Sequence, residues 1–110
     1  MDVVEPDGNR KENILHQGDV LLVPAGVPHS PRRPAGTWGL VVERKRRLDE
    51  LDGIVWFCEV CNAELYHSQF SCTNIETEVR AAIDDFYADE SRRTCRSCGS
   101  LLQRPGECRL

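Results

Sequence analysis

Two cysteine pairs constrain this chain more than any other feature. Cys58 and Cys61 form one C-x-x-C motif, and Cys95 and Cys98 form a second. Each pair is followed by a residue that tolerates left-handed backbone geometry, Asn in the first motif and Gly in the second. Such turns let backbone amides point at thiolate sulfurs, and four cysteines in two such pairs make a closed tetrahedral site for zinc or iron. The sequence therefore predicts a structural metal site that joins the two motifs. The alternative is a redox dithiol in either motif, although no thioredoxin-like βαβ pattern surrounds them.

The segment between the motifs is longer than in ordinary zinc fingers and must contain structure of its own. Thr73 and Glu76 have capping-box spacing, which predicts the start of a helix. An apolar stripe at helical spacing follows, and we interpret it as core packing: Ile75, Val79, Ile83, Phe86 and Tyr87. Strands are predicted at residues 54–57 and 65–70. His67, on the second of these strands, is interpreted as a packed or surface residue.

A second region with chemical content runs from residue 18 to residue 43. Two short apolar segments, residues 20–23 and 40–42, are bounded by Gly and Pro, which is typical of a hairpin-like pair of strands in a β-sheet. His29 follows the first turn. Upstream, short strands are predicted at residues 3–4 and 13–16, with a turn between them at residues 6–9.

Composition narrows the class of protein. A chain of 110 residues with a net charge of -4 is typical of one globular domain, and the charge argues against general nucleic-acid binding. No apolar run reaches membrane-spanning length and the amino terminus lacks a signal pattern, so we expect a cytoplasmic protein. Thiols stay reduced there, which favours metal ligands over disulfides. Cys72 and Cys108 match neither motif and are interpreted as free thiols.

The spacing of Gly18, Pro24, Gly26 and His29 resembles the second sequence motif of the cupin family of β-barrels. Arg33 stands where that motif usually has Asn. The alternative is a surface hairpin in which the histidine merely caps a turn. Non-haem Fe(II) oxygenases need two histidines and a carboxylate, and no H-x-H or H-x5-E sequence precedes the motif here.

Longer segments are similar to the 3-hydroxyanthranilate 3,4-dioxygenase family of cupins, namely VPHSPRRPAGTWGLVVERKR, LDGIVWFCEVCNAELYH and IETEVRAAIDDFYADESRRTCRSCG. The resemblance implies a mainly β fold with a jelly-roll-like cupin barrel that is incomplete in this chain. Residues 1–50 would form the carboxyl-terminal half of the barrel. Residues 51–110 would form strands, one helix and a rubredoxin-like four-cysteine extension packed on it.

The resemblance also implies roles for individual residues. His29 would be a ligand of the catalytic Fe(II), Arg33 would bind the substrate carboxylate, and Glu43 would accept a proton from the substrate hydroxyl. The residues alone leave two alternatives open. Arg33 would then be a solvated loop charge, and Glu43 would pair with Arg44 or Lys45.

The implied reaction is Fe(II)-dependent extradiol cleavage of 3-hydroxyanthranilate by O2 to 2-amino-3-carboxymuconate semialdehyde, in the kynurenine pathway of tryptophan catabolism and NAD biosynthesis. A second iron or a zinc ion would occupy the four-cysteine site, and the family suggests dimers. Because two iron ligands are missing, we expect a shortened dioxygenase with little or no activity as this isolated chain. The alternative is a non-catalytic, metal-stabilised module that serves assembly or binding.

Overall fold

The structure, a computed structural model, describes residues 1–105. The chain divides into two compact units, an amino-terminal unit of residues 1–43 and a carboxyl-terminal unit that begins at Arg44. The described residues form the elements β1 (Asp2–Val4), β2 (Arg10–Glu12), β3 (His29–Ser30), β4 (Asp52–Phe57), β5 (Glu64–Phe70), α1 (Ile75–Ala88) and α2 (Glu90–Arg93). None of the helices in this part of the chain is long and apolar enough to cross a membrane.

The amino-terminal unit is built on a three-stranded antiparallel sheet in the order β2–β1–β3. Val3, in the central strand, lies opposite Lys11 on one side and His29 on the other. The Arg32 guanidinium donates to the Asp2 carboxylate at 3.0 Å, which ties the segment after β3 to β1. The sheet therefore fixes the backbone on which the predicted iron ligand stands.

Some of the local predictions for this unit are confirmed and others are wrong. The strand near residue 3 and the turn over residues 6–9 are present, and Gly8 in that turn has a φ of 85°. The second strand lies at Arg10–Glu12 rather than at residues 13–16. Neither residues 20–23 nor residues 40–42 form a strand.

The reason for the missing strands lies in their surroundings. Val20 and Leu22 are 93% and 86% exposed, whereas Leu21 and Val23 are half-buried. This alternation is that of a strand with one covered face, but a strand also needs backbone donors and acceptors on a neighbour. Within residues 1–43, no such neighbour pairs with this segment, and no closed barrel forms among the described residues.

The carboxyl-terminal unit contains the antiparallel hairpin of β4 and β5. The register places Asp52 opposite Phe70 and Trp56 opposite Tyr66, with an irregularity between Trp56 and Phe57. Both predicted strands are confirmed, and each is longer by one or two residues at its start. Because β4 ends at Phe57, the first cysteine motif lies in the turn of the hairpin.

The predicted helix is confirmed as α1, but its cap is not the predicted one. Asn74 is the N-cap, and its side chain accepts the backbone N–H groups of Glu76 and Thr77. Glu78 accepts the hydroxyl and the backbone N–H of Thr73. An asparagine side chain is a favoured cap acceptor, so it takes the place that the capping-box pattern assigned to Thr73.

The core of this unit is a cluster of aromatic rings. Phe86 of α1 is 0% exposed and stacks on Trp56 of β4, with the ring centroids 4.1 Å apart. Tyr87 packs edge-on against Phe86 at 4.9 Å, and Tyr66 of β5 lies 6.0 Å from it. The Arg92 guanidinium lies over the Tyr66 ring at 4.6 Å. These contacts hold the helix on the hairpin.

The core prediction for the apolar stripe is correct only near the end of α1. Val79 is half-buried, but Ile75 and Ile83 are exposed. The hairpin has only two strands, so it covers only the part of α1 around Phe86.

The arginines that open the carboxyl-terminal unit are paired with acidic residues of the same segment. The Arg44 guanidinium donates to both carboxylate oxygens of Glu50, at 3.1 and 2.5 Å. The backbone N–H of Arg47 donates to the same carboxylate at 2.7 Å. The Arg44 hydrogen bonds, followed by the Arg47 amide, lower the pKa of Glu50 to about 2. Arg46 pairs with Asp52 at 2.8 Å.

Candidate metal centre and predicted dioxygenase residues

The four cysteines of the two motifs lie together in the carboxyl-terminal unit. Their Sγ atoms all lie within 4.8 Å of one another. The shortest separations cross between the motifs, at 3.6 Å for Cys58 and Cys98 and 3.5 Å for Cys61 and Cys95. A tetrahedral ion with metal–sulfur bonds of about 2.3 Å would separate the sulfurs by roughly 3.8 Å. The donor set and its spacing therefore fit a zinc or iron ion.

The two motifs follow the same backbone path. The N–H of Cys58 donates to the Ala63 carbonyl at 2.8 Å, and the N–H of Cys95 donates to the Ser100 carbonyl at the same distance. The residue after each pair is left-handed, with a φ of 61° at Asn62 and 76° at Gly99. Each motif therefore has the turn that the sequence predicted, with the first cysteine buried and the second exposed.

Hydrogen bonds divide the thiols into more and less acidic members. The Ser100 hydroxyl, helped by the backbone amide of Cys61, lowers the pKa of Cys58 to about 6. Backbone amides of its own turn, foremost that of Cys98, also lower the pKa of Cys95. The Ala63 amide favours the Cys61 thiolate, but the hydrogen bond with Cys95 and burial outweigh it and raise the pKa of Cys61 to about 12. Hydrogen bonds therefore favour the thiolate at the two buried cysteines, Cys58 and Cys95, and the protonated thiol at Cys61.

Ser100 is a site residue that the sequence analysis missed. Its Oγ lies 3.0 Å from Cys58 Sγ and 3.0 Å from Cys98 Sγ. The signal was available in the alignment of CEVCNA with CRSCGS, because a hydroxyl stands in the second motif where the first has a methyl group.

The predicted dioxygenase residues all lie in the amino-terminal unit. His29 is exposed in β3, and its Nδ1 lies 2.9 Å from the Val27 carbonyl oxygen. Arg33 is exposed and lies against Gly39, where an added Cβ would approach the guanidinium carbon to 3.0 Å. Glu43 is exposed at the end of the same unit.

These three residues do not complete an iron site in the described part of the chain. Among residues 1–105, the four cysteines are the only group of three or more His, Cys, Asp or Glu donors with suitable spacing. His29 belongs to no such group. The residues present therefore do not fit the catalytic iron by themselves, in agreement with the missing donors noted in the sequence.

Comparison with known proteins decides the family. The family described as 3-hydroxyanthranilic acid dioxygenase matches residues 1–87. The chain belongs to this family. The 3-hydroxyanthranilate 3,4-dioxygenase of Bacillus cereus (strain ATCC 10987 / NRS 248) is 40% identical over 102 residues, which are 93% of this chain and 57% of the relative. The enzyme of the same name from Xanthomonas campestris pv. campestris (strain B100) is 42% identical over 102 residues, 93% of this chain and 58% of the relative.

The family match carries two consequences. It identifies the chain as a member of a dioxygenase family, matched over the carboxyl-terminal part of that family. It also shows that the chain spans less than two thirds of the length of these curated relatives.

Proposed function

We propose that this chain is the carboxyl-terminal part of a 3-hydroxyanthranilate 3,4-dioxygenase. The observation that carries the proposal is the family match over residues 1–87, together with 40% identity to a relative across 93% of the chain. The substrates are then a small aromatic acid and O2. The catalytic cofactor is Fe(II), and the product is 2-amino-3-carboxymuconate semialdehyde.

The hydrogen bond of His29 supports its role as an iron ligand. A carbonyl oxygen can only accept, so the contact with Val27 at 2.9 Å requires the proton to be on Nδ1. In the neutral ring the Nε2 atom then keeps its lone pair, which is the form in which an imidazole binds a metal. Pairing of β3 with β1 at Val3 holds the backbone of this ligand in place.

Arg33 and Glu43 have the chemistry that the proposed substrate needs. A guanidinium presents a fork of N–H donors that matches a planar carboxylate, so Arg33 would orient the aromatic acid. The absence of a side chain at Gly39 leaves room for that guanidinium. Glu43 would accept the proton of the substrate hydroxyl, as a general base must.

The proposal also predicts that this 110-residue polypeptide is inactive alone. The sequence has three histidines, and only His29 occupies the cupin motif, so two iron donors must come from residues outside this sequence. The purified chain, supplied with Fe(II), should consume no O2 with 3-hydroxyanthranilate beyond a control of Fe(II) in buffer. Robust turnover by the chain alone would contradict the argument from missing donors.

A complementation experiment tests the role of His29 directly. The unmatched part of the Bacillus cereus relative, added as a separate polypeptide, should restore product formation. In that mixture His29→Ala should abolish activity, whereas the control His16→Ala, at an exposed residue beside Asp19, should retain it. Equal activities for the two variants would show that His29 is not an iron ligand.

A second candidate function follows from the four-cysteine group, which is the one complete donor set among the described residues. The chain would then be a non-catalytic module whose fold depends on zinc or iron, and four thiolates contribute on the order of 10 kcal/mol to folding. Metal analysis should find about one ion per chain in the wild-type protein, and Cys95→Ser should lose that ion. Metal binding together with no activity in the complementation mixture would favour this second function.

Two further properties belong to the proposal. None of the five described cysteines forms a disulfide, which suits a protein that works in the reducing cytoplasm. The family suggests a dimer, so sedimentation equilibrium of the complemented protein should give twice the mass of the monomer. A monomer mass would contradict the dimer.

A further inference from the structure

Ser100 contacts sulfurs of both cysteine motifs. Its Oγ lies 3.0 Å from Cys58 Sγ, in the first motif, and 3.0 Å from Cys98 Sγ, in the second. A metal-bound thiolate has no proton, so the hydroxyl is the donor in either contact. It carries one proton, which it shares between the two sulfurs.

The first motif has no counterpart of this donor. Ala63 and Ser100 occupy the same place in the two turns, because each carbonyl accepts the backbone N–H of the first cysteine five residues earlier, at 2.8 Å. The alanine side chain offers no proton. The backbone therefore treats the two halves of the centre alike, and the Ser100 hydroxyl distinguishes them.

We propose that Ser100 is a positioning residue of the four-cysteine centre, which sets the reduction potential of bound iron by donating a hydrogen bond to its thiolates. A donor to sulfur withdraws charge from the thiolate and stabilises the reduced, more negative state of the site. The hydroxyl also orients Cys58 and Cys98 relative to each other. This inference rests on the metal centre proposed above and assigns a function to a side chain within it.

The choice of variants follows from a small cavity beside the centre. A space of about 50 Å³ is lined by Cys58, Leu65 and Ser100, among other residues, which is enough for a water molecule with polar partners. Water entering there in Ser100→Ala would replace the lost donor and hide its effect. Ser100→Thr and Ser100→Val avoid this difficulty, because they have the same shape and differ in the hydroxyl.

The experiment measures the Fe(III)/Fe(II) potential of the iron-loaded 110-residue chain by spectroelectrochemistry. Ser100→Val should favour the oxidised state about tenfold relative to Ser100→Thr, which lowers the potential by about 59 mV for a one-electron couple. The thiolate-to-metal charge-transfer band of the cobalt-loaded protein should shift to lower energy in the same variant. Ala63→Ser, which adds a hydroxyl at the matching place, should raise the potential.

The outcomes separate the two proposals. A wild-type chain that binds no iron or cobalt would overturn the metal centre itself. Metal-loaded Thr and Val variants with equal potentials and equal charge-transfer energies would leave the centre standing and overturn the role of Ser100. If Ser100→Val fails to fold, Ala63→Ser decides, since an unchanged potential in that variant counts against the proposal and a raised one supports it.

Discussion

Removing the buried ring of Phe86 should destabilise the carboxyl-terminal unit more than any other single truncation in α1. Phe86 is fully buried, stacked on Trp56 at 4.1 Å and packed edge-on against Tyr87 at 4.9 Å. Truncation of a buried phenylalanine to alanine costs about 3–5 kcal/mol. Phe86→Leu keeps most of the apolar volume and loses mainly the ring contacts, at about 0.5–1.5 kcal/mol for each pair.

The assay follows Trp56, the indole that lies on Phe86. The sequence has two tryptophans and Trp38 is fully exposed, so a Trp38→Phe background leaves one fluorophore that reports on the core. Urea unfolding of metal-saturated protein, read by Trp56 fluorescence and by helical circular dichroism, gives the free energy of unfolding. Ile83→Ala, on the same helix at 36% exposure, is the control and should cost less than about 1 kcal/mol.

Comparison of the free energies of unfolding lost in Phe86→Ala and Ile83→Ala tests whether α1 packs through its aromatic residues. A loss below about 1 kcal/mol for Phe86→Ala would refute the aromatic core, because a fully buried ring cannot be removed so cheaply. Equal losses for Phe86→Ala and Ile83→Ala would show that α1 packs through the exposed stripe instead.

Three other perturbations have defined outcomes. Asn62→Val should destabilise the metal-loaded protein by about 1–2 kcal/mol in urea unfolding, because a β-branched residue resists the φ of 61°. Asn62→Gly should not destabilise it. Equal losses of stability in the two variants would contradict the importance of the left-handed backbone at this position. Asn74→Ala should cost about 1 kcal/mol in thermal unfolding through the lost N-cap, and an unchanged melting temperature would argue against that cap. The pKa of Glu50 in the folded protein is about 2, below its ordinary value of 4.5. The pairing of Glu50 with Arg44 therefore stabilises the folded state fully above pH 4.5, and this stabilisation is lost as the pH falls to 2. Glu50→Gln should flatten the acid-unfolding curve between pH 4.5 and pH 2. A curve identical to that of the wild-type protein would contradict a stabilising role for the Glu50–Arg44 pair.

The cysteine centre was predictable because its turns are local. In each motif, six consecutive residues fix the path of the chain, and the left-handed positions at Asn62 and Gly99 can be read from residue type alone. The helix and the hairpin between the motifs have the same local origin, in their periodicity and flanking turns. The side chain that contacts two sulfurs, Ser100, required a comparison of the two motifs with each other.

The amino-terminal unit was less predictable because its strands depend on partners. The run from Val20 to Val23 has the composition of a strand, yet no neighbour in the described residues supplies its backbone hydrogen bonds. His29 does lie in a strand, since β1 pairs with it at Val3. Strand propensity is thus expressed only where the rest of a sheet is present. The roles of His29, Arg33 and Glu43 stay predictions.

The hairpin of β4 and β5 presents Cys58 and Cys61 at its turn, while Cys95 and Cys98 follow α2. During synthesis the first pair leaves the ribosome well before the second. An ion that arrives early finds half of its coordination sphere and must complete it with water. Stable retention of an ion at this centre would therefore require the later pair, and with it the folding of the residues between the two motifs.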